Sequence, residues 1–454
     1  MTLRLNVEKL KMQTQRCDVF QTVGKLHSVR DLLTANLTMA LGEMCEIETG
    51  FGEKVQAEVI AAYENQSQLM TFHRSHGLAP GMDVVALNRV VQVPVGWNLL
   101  GRVLNGLGQP IDGREPLQAF KQRMTDSPSP QALERKRITQ PLATGQRVID
   151  GMLTIGRGQR MGLFAGSGVG KSTLLGEIAK FAESDSNVAD LNVIVLVGER
   201  GREVRPFLED CLGHEGLKRS VVVVATSDET PLMKIQAVRT GLTIAEEFRD
   251  QGADVLFFLD SLTRFATAQK EIGLARGEAP GQRGYPSSVL STLAVTLERL
   301  GNGQTGSITG LITVLVDGDD LDEPISDAAR SILDGHLVLD RLLAQKGCFP
   351  AVNVLKSLSR LFREVTSPQQ QVAAHSIREC LATYEEVAEL IQVGLYQPGT
   401  SAAVDNAIHR LPAIHKFLHQ RIGETSQLNQ TAHDMAHLVN LSSDSGSTLK
   451  SAVN

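Results

Sequence analysis

Short apolar segments broken by turn-forming residues make up the first part of the chain, from about residue 20 to residue 95. The segments are VFQTVGKLHSV, EMCEIETGFG, VQAEVIAAY and MDVVALNRVVQVPV. They are rich in β-branched side chains and recur at intervals of roughly ten residues, which is typical of short antiparallel strands. The pattern predicts a small antiparallel β-barrel over residues 20–95.

Strongly apolar runs with helix-length segments between them follow over residues 145–366. These runs are MGLFA (161–165), NVIVLV (192–197), VVVVA (221–225), DVLFFLD (254–260) and LITVLV (311–316). Their hydrophobicity is continuous rather than alternating, so each strand is expected to be buried on both faces. The pattern predicts an α/β domain in which helices flank a parallel sheet.

The remaining segments differ from these two regions in composition and in the spacing of their apolar residues. Residues 96–144 are rich in Gly, Asn and Pro and are predicted to be a linker, with a domain boundary near Pro141. Residues 367–424 carry apolar side chains at three- and four-residue spacing, which predicts a helical domain. Residues 425–454 are polar and rich in Ser and Asn, and we expect a tail that is frayed or ordered by a partner. The segment LRLNVEKLKM within residues 1–19 has amphipathic spacing, so it either docks on a partner or is a frayed terminus.

Composition narrows the functional classes. The net charge of −6 gives no broad basic surface for nucleic acid or an anionic membrane. The five cysteines are scattered and include no CxxC pair, which favours reduced thiols in a cytosolic protein. We find neither the apolar region of a signal peptide nor an uncharged apolar run of about 18 residues, so we expect no secretion by the general route and no membrane span.

The segment MGLFAGSGVGKSTLLGEIAK is a predicted strand, a glycine-rich turn and a helix, which is the arrangement of a phosphate-binding P-loop. The turn glycines allow backbone N–H groups to point inward around phosphate oxygens at the helix N-terminus. Lys171 is expected to reach the β- and γ-phosphates and Ser172 to hold Mg²⁺. Ala165 stands at the first consensus position, where a small residue still fits. The predicted nucleotide-binding residues of the loop are Ala165, Gly166, Ser167, Gly168, Val169, Gly170, Lys171, Ser172 and Thr173.

Four further residues carry candidate chemistry, and on the residues alone each has a structural alternative. Asp260 ends a buried strand, where a carboxylate can orient Mg²⁺ or cap the next helix. Glu199 follows another strand and can polarise an attacking water, although a Glu among arginines is typical of a solvated charge cluster. Arg360 alone is typical of an ion pair at the edge of a core, and Phe349 alone of a core side chain.

Several motifs occur in order along the chain, and together they resemble the catalytic ATPases of type III protein export, in particular the flagellar group. These motifs are PLATGQRVIDGMLTIGRGQRMGLFAGSGVGKSTLLG, VLVGERGREV, FFLDSLTRFA, RGYPSSV, TVLVDGDD, PISDAARSILDGHLVLDR and NVLKSLSR. The resemblance covers roughly residues 20–420 and is densest from Pro141 to Arg360. It places the chain in the superfamily of the rotary ATP synthase α and β subunits.

The resemblance implies a homohexameric ring of RecA-like P-loop domains with an N-terminal β-barrel collar and C-terminal helical domains. It implies that Glu199 activates water, that Arg200 lies near the γ-phosphate, and that Asp260 serves Mg²⁺. Arg360 matches an arginine finger acting on the neighbouring subunit's ATP, and Phe349 stands where relatives place an aromatic ring on adenine. The implied partners are a stator-like regulator at the N-terminal segment, a central stalk protein, export chaperones and the membrane export gate. The implied location is the cytoplasm, with peripheral attachment to the inner-membrane export apparatus.

Three other functions remain open at this point. An injectisome ATPase shares every motif quoted, so the site chemistry does not separate it from the flagellar enzyme. A non-catalytic ring subunit would carry glutamine at the position of Glu199. A ring-shaped RNA translocase would need stacking aromatics interleaved with basic residues in its N-terminal domain, and the sequence has no dense Lys/Arg interleaving there.

Overall fold

A computed structural model describes most of the 454-residue chain. The described residues are 21–74, 76–117, 121–166, 168–181, 187–316, 318, 320 and 322–448, with side chains described as far as residue 439. The predicted partner-binding segment 1–19 and the predicted site residue Ser167 lie outside them. Within these ranges, none of the helices combines the length and the apolarity needed to span a membrane.

The described chain begins with antiparallel strands that close into a barrel in the order β1-β2-β5-β4-β3-β6. The strands are β1 (Val23–Val29), β2 (Leu33–Ala35), β3 (Glu43–Glu48), β4 (Lys54–Ala62), β5 (Ser67–Thr71) and β6 (Asp83–Val90). Side chains alternate between the two faces of each strand, so Leu26, Ile47 and Val59 pack together inside the barrel. Closure pairs both long edges of the sheet. The β-barrel predicted from the spacing of apolar segments is confirmed.

The segment predicted to be a linker contains regular structure. It includes β8 (Val103–Asn105) and β9 (Lys121–Met124), and β9 pairs with β7 (Gln92–Val95) in a two-stranded ribbon. Strand β8 adds to the edge of the central sheet, parallel to Ser220–Ala225. The prediction of a simple linker is therefore wrong for β8, because three residues in a Gly- and Asn-rich context carry too little apolar periodicity to be recognised as a strand.

The central domain is built on a nine-stranded sheet in the order β19-β18-β12-β17-β15-β13-β14-β8, with β16 paired to β17. The strands from residue 141 onward are β10 (Pro141–Leu142), β11 (Ile155–Gly156), β12 (Arg160–Ala165), β13 (Leu191–Val197), β14 (Ser220–Ala225), β15 (Asp254–Asp260), β16 (Gly301–Asn302), β17 (Ser307–Leu315), β18 (Gly335–Leu339) and β19 (Leu358–Ser359). Pairing is parallel from β8 through β18 and antiparallel for β16 and β19. The parallel sheet predicted from the continuous apolar runs is confirmed, and β18 is a further strand that the sequence analysis did not identify.

Helices cover both faces of this sheet. They are α1 (Arg147–Met152), α2 (Lys171–Lys180), α3 (Gly201–Pro206), α4 (Gly213–Lys218), α5 (Pro231–Asp250), α6 (Leu262–Ala275), α7 (Ser287–Glu298), α8 (Pro324–Ile332), α9 (Arg341–Gln345) and α10 (Phe362–Val365), with a π-helix at Phe207–Leu212 and 3₁₀ turns at Trp97–Leu99 and Gln282–Gly284. Successive residues of β13 point to opposite cores: Val195 packs with α5 and α6, whereas Ile194 packs on the side of α1 and α2. Burial on both faces explains why these strands are apolar at every position.

The chain ends in the helices α11 (Pro368–Gln392), α12 (Ala402–Leu418) and α13 (Leu428–Thr448). Ser367 and Ser401 cap the first two, because their side chains accept hydrogen bonds from Gln370 N and Val404 N. These helices share a hydrophobic core with the P-loop side of the sheet. The C-terminal helical domain expected from the spacing is confirmed as part of the fold.

The polar tail predicted from residue 425 onward is not what the structure contains, because α13 occupies Leu428–Thr448. Thr431 and Met435 are fully buried on this helix. A Cβ atom placed on Gly151 of α1 would lie 2.7 Å from Met435 Sδ, so the two helices meet at a glycine. The buried stripe of α13 is narrow, and its mostly polar composition masked it in the sequence.

Candidate active site

The phosphate-binding loop connects β12 to α2 at the carboxyl edge of the sheet. Ala165 is the last, buried residue of β12 and pairs with both neighbouring strands, which explains why a small side chain stands there. Gly168 and Gly170 have φ values of 79° and 90°, in the left-handed region that glycine adopts without strain. Helix α2 then begins at Lys171, followed by Ser172 and Thr173 in its first turn. Positive φ at Gly168 and Gly170 is the geometry that lets a glycine-rich turn direct N–H groups toward an anion.

Three charged side chains meet beside this loop. Lys171 Nζ lies 2.5 Å from Asp260 Oδ1 and 3.4 Å from Glu199 Oε1. All three side chains are mostly buried, at 13% exposure for Lys171, 4% for Asp260 and 21% for Glu199. The structure thus brings together three of the residues that the sequence predicted to act on a nucleotide.

The topology of the sheet explains this meeting. Strands β13 and β15 are neighbours, and Leu196 of β13 pairs with Asp260 of β15. Glu199 follows three residues after Leu196, beyond a turn in which Gly198 has a φ of 72°. The carboxyl ends of parallel strands lie at one edge of a sheet, where ligands of such folds bind.

The electrostatics of the cluster shift two of its groups. Burial opposes the charge of Lys171, but the carboxylates of Asp260 and Glu199 outweigh it and raise the pKa of the ammonium group above its ordinary value. Burial, followed by the negative charge of Asp260, raises the pKa of the Glu199 carboxyl. Glu199 is therefore more basic than a solvated glutamate, which suits a group that accepts a hydrogen bond from water.

Asp260 has a second neighbour on the next strand. Thr313 Oγ1 of β17 donates to Asp260 Oδ1 at 2.7 Å. Both hydrogen bonds that Asp260 accepts through its side chain from described residues fall on Oδ1. Oδ2 is thus the oxygen that can face a metal-bound water. The Asp260 carboxylate and the Ser172 hydroxyl are hard oxygen donors of the kind that Mg²⁺ prefers, so the residues fit this ion.

A cleft of about 200 Å³ opens beside the loop. Phe349 lies on one side, 41% exposed, with its ring 3.3 Å from the position a Cβ of Gly170 would take. Ile422, 76% exposed, lines the same cleft from the segment between α12 and α13. Phe349 is therefore not the core side chain that the residue alone would suggest.

The segment that carries Ile422 is anchored to both halves of the site. Gln420 N donates to Phe349 O at 2.8 Å, and Gly423 N donates to Glu177 Oε2 of α2 at 2.7 Å. The side chain of Gln420 also donates to Gly145 O at 3.0 Å. The sequence analysis assigned no role to Gln420, Ile422 or Gly423. No local pattern marks them, because their position depends on the C-terminal helices folding back onto the P-loop domain.

The two predicted arginines do not join the charged cluster within their own subunit. Arg360 follows β19 at the edge of the sheet, is exposed, and donates from Nη2 to Arg330 O at 2.9 Å. The side chain of Arg200 is 67% exposed and lies 3.6 Å from Glu203. Both guanidinium groups are thus presented on the surface of the subunit.

Arg264 is a further cation near the site that the sequence analysis included in a motif without a role. It lies in the first turn of α6, four residues after Asp260, and its backbone N–H is capped by Ser261. The stem of its side chain packs against Gly198, next to Glu199. Arg264 is exposed, so it adds positive charge close to Gly198 and Glu199.

The chain matches two models of protein families. Residues 145–359 match the ATP synthase alpha/beta family, nucleotide-binding domain, and residues 366–437 match the T3SS EscN ATPase C-terminal domain. The flagellum-specific ATP synthase of Bacillus subtilis is 47% identical over 418 residues, covering 91% of this chain and 94% of that protein. The type 3 secretion system ATPase of Xanthomonas euvesicatoria is 44% identical over 431 residues, covering 95% of each.

Solved structures give the same result for the fold. The assembled ATPase EscN from the type III secretion system of enteropathogenic E. coli superposes with a TM-score of 0.86 at 40% sequence identity, covering 92% of this chain and 100% of EscN. EscN in complex with its central stalk EscO superposes with a TM-score of 0.84 over the same shares.

Proposed function

Because this chain belongs to the ATP synthase α/β family, in the group of flagellar and type III secretion ATPases, we propose that it hydrolyses Mg·ATP at the subunit interfaces of a homohexameric ring and so energises flagellar type III protein export. The chain is an ATPase by this membership. The observation that carries the catalytic proposal is the contact of Lys171 with Asp260 and Glu199 beside the P-loop.

Each group that lines the site has one role in this proposal. The N–H groups of the loop and the ammonium group of Lys171 hold the phosphates of ATP. Glu199 accepts a hydrogen bond from the attacking water and orients it toward the γ-phosphate. Ser172 and Asp260 would hold Mg²⁺, which supplies positive charge to the β- and γ-phosphate oxygens. Phe349 stacks on the adenine ring, and Ile422 covers its other face.

The arginines act across the interface between subunits. Arg360 of one subunit stabilises the charge that develops on the ATP held by its neighbour, a contribution of about 10³ to 10⁵ in rate for arginine fingers. Arg200 lies next to Glu199 near the γ-phosphate. The surface position of both side chains supports this assignment, as does the assembled state of the related EscN.

The ring architecture gives the other parts their roles. The β-barrels, residues 20–95, form the collar, residues 145–366 form the catalytic ring, and residues 367–424 form the helical domains below it. A central stalk protein occupies the ring, in keeping with the EscN–EscO complex. The N-terminal segment 1–19 binds a stator-like regulator, and export chaperones deliver cargo to the membrane gate. The protein works in the cytoplasm, attached peripherally to the inner-membrane export apparatus.

An injectisome ATPase is the second candidate, because relatives of both kinds match at similar identity. The flagellar relative of Bacillus subtilis is 47% identical, and the SPI-2 type 3 secretion system ATPase of Salmonella typhimurium is 46% identical. The charged cluster serves both functions equally. Deleting the gene in its own organism separates them: loss of hook and filament export supports the flagellar function, and loss of effector secretion with normal flagella supports the injectisome.

A non-catalytic ring subunit is disfavoured by the carboxylate at residue 199. A phosphate-release assay on the purified protein with Mg·ATP tests this alternative directly. We expect turnover that increases with protein concentration as rings form. Binding of ATP without phosphate release, under conditions where rings are present, would contradict the proposed catalytic function.

A further inference from the structure

Thr313 lies beside Asp260 on the neighbouring strand, deep in the sheet. The register of β15 and β17 pairs Leu259 with Ile312, so the next residues along the two strands, Asp260 and Thr313, are adjacent. Thr313 is fully buried in the otherwise apolar run LITVLV. A hydroxyl in such surroundings is costly unless it is hydrogen-bonded, so its partner indicates why it is there.

The hydroxyl has two acceptors within reach. Its oxygen lies 2.7 Å from Asp260 Oδ1 and 3.1 Å from Leu259 O. A threonine hydroxyl has one hydrogen to donate, and a hydrogen bond to a carboxylate is about twice as strong as one to a neutral carbonyl. The shorter distance and the stronger acceptor both assign the hydrogen to Asp260.

This bond matters most when Lys171 leaves Asp260. In the structure Lys171 shares Oδ1 with Thr313, whereas the proposed function requires the ammonium group of Lys171 at the phosphates. The carboxylate, 4% exposed, then keeps Thr313 as its side-chain donor among the described residues. A donor fixed on Oδ1 by a rigid strand sets the plane of the carboxylate and turns Oδ2 toward the metal.

We propose that Thr313 is a positioning residue that orients the Asp260 carboxylate for Mg²⁺ through a hydrogen bond to Oδ1. The proposal rests on the proposed function, since it concerns the metal of that site. It does not place Thr313 in contact with nucleotide. Its consequence is that Thr313 sets how strongly Mg²⁺ promotes nucleotide binding, and has little effect on binding of the metal-free nucleotide.

The test measures binding of N-methylanthraniloyl-ATP to the full-length protein by fluorescence, once with Mg²⁺ and once with EDTA. Replacing Thr313 with Val removes the hydroxyl at constant shape. We define the affinity ratio as the affinity measured with Mg²⁺ divided by the affinity measured with EDTA. We expect this ratio to fall about tenfold in Thr313→Val, as is typical when a residue that orients a metal ligand is removed. The Mg²⁺ concentration for half-maximal turnover should rise by a similar factor.

Two further variants guard against a simple loss of stability. Thr313→Ser and Thr313→Ala both remove the γ-methyl group and differ by the hydroxyl, so only the serine variant should keep the wild-type affinity ratio. Thr309→Val is the matched control, because Thr309 is also buried on β17 but accepts a hydrogen bond from Gly158 N at 2.8 Å, away from the site. We expect this control to alter the melting temperature without altering the ratio.

The outcomes separate this inference from the function on which it rests. If the wild-type protein shows neither Mg²⁺-dependent binding nor hydrolysis, the proposed function fails. If the wild-type protein shows both, and Thr313→Val and Thr313→Ala keep the wild-type affinity ratio, Thr313 does not position Asp260. Equal losses in the Ser and Ala variants would also overturn the inference, because they would assign the effect to packing.

Discussion

The ammonium group of Lys171 lies 2.5 Å from the carboxylate oxygen Oδ1 of Asp260, which joins the first residue of helix α2 to the last residue of strand β15. The two residues are 89 positions apart in the chain. Their contact joins the P-loop, which follows β12, to the carboxyl end of β15, although β17 lies between these two strands in the sheet.

Removing Lys171 should cost stability as well as nucleotide binding. In Lys171→Ala the buried Asp260 carboxylate loses its ammonium partner, and breaking a buried pair in this way costs about 3 kcal/mol. We expect the free energy of unfolding, measured in urea at neutral pH, to fall by that order. The double variant Lys171→Ala/Asp260→Asn should regain much of the loss, since it also removes the charge of Asp260, the more deeply buried of the two carboxylates. Equal stability of Lys171→Ala and wild type would contradict the pairing.

Replacing Glu199 with Gln should separate binding from hydrolysis. The amide keeps the shape of the side chain but is a poorer acceptor for the proton of the attacking water, so turnover should fall about 10² to 10⁴-fold. Nucleotide affinity should stay close to wild type. The matched control is Glu209→Gln, at an exposed glutamate that pairs with Arg205, which should retain most turnover. A fully active Glu199→Gln variant would exclude the assigned role of this carboxylate.

The acid side of the pH profile should report on Glu199. Burial and the charge of Asp260 raise its pKa above the ordinary value of 4.5, and the deprotonated carboxylate is the stronger hydrogen-bond acceptor for water. The ratio kcat/KM should therefore fall with decreasing pH, with a midpoint above 4.5. Glu203 contributes to the shift, because its carboxylate accepts a hydrogen bond from the protonated Glu199, so Glu203→Ala should move the midpoint to lower pH. An unchanged midpoint in that variant would assign the titration to another group.

Phe349 should affect recognition of the base and leave that of the phosphates intact. Base stacking on an aromatic side chain is worth about 1 to 3 kcal/mol, so Phe349→Ala should raise the KM for ATP about tenfold. Phe349→Tyr retains the ring and should behave like wild type. Inorganic tripolyphosphate, which has no base, should inhibit Phe349→Ala and wild type equally. Weaker inhibition of the variant would indicate that Phe349 supports the loop itself.

The strands of the central sheet that were predicted from sequence are those whose burial is continuous. Strands such as β13 and β15 are apolar at every position because both of their faces are covered, and this pattern is visible without tertiary information. Strand β18 was not predicted because its sequence, GHLVL, is short and includes a histidine that lies partly exposed beside Phe164. Helix α13 was not predicted because its buried stripe is narrow and most of its other positions are polar.

The residues of the site also divide into those that the sequence indicates and those that depend on tertiary packing. Lys171 and Asp260 were predictable because the carboxyl ends of parallel strands lie at one edge of a sheet, so a position along the chain implies a position in space. Glu199 lies at the same edge, but its role was predicted only from the wider set of motifs. Gln420 reaches the site through the packing of the C-terminal helices, which the local sequence does not encode. Thr313 looked like an ordinary β-branched strand residue until the register placed it beside Asp260.

The central claim is that one subunit binds each ATP and that Arg360 of the next subunit completes the active site around it. Arg360→Ala subunits keep the P-loop and lack the finger, whereas Lys171→Ala subunits lack the P-loop lysine and keep the finger, so each variant alone should form inactive rings.

The most direct measurement is phosphate release from rings assembled by mixing the two variants, with mixed assembly verified by native mass spectrometry. The account predicts that mixing restores turnover, because some interfaces pair an intact P-loop with a neighbouring Arg360. Verified mixed rings that remain inactive, or normal turnover by Arg360→Ala alone, would contradict it.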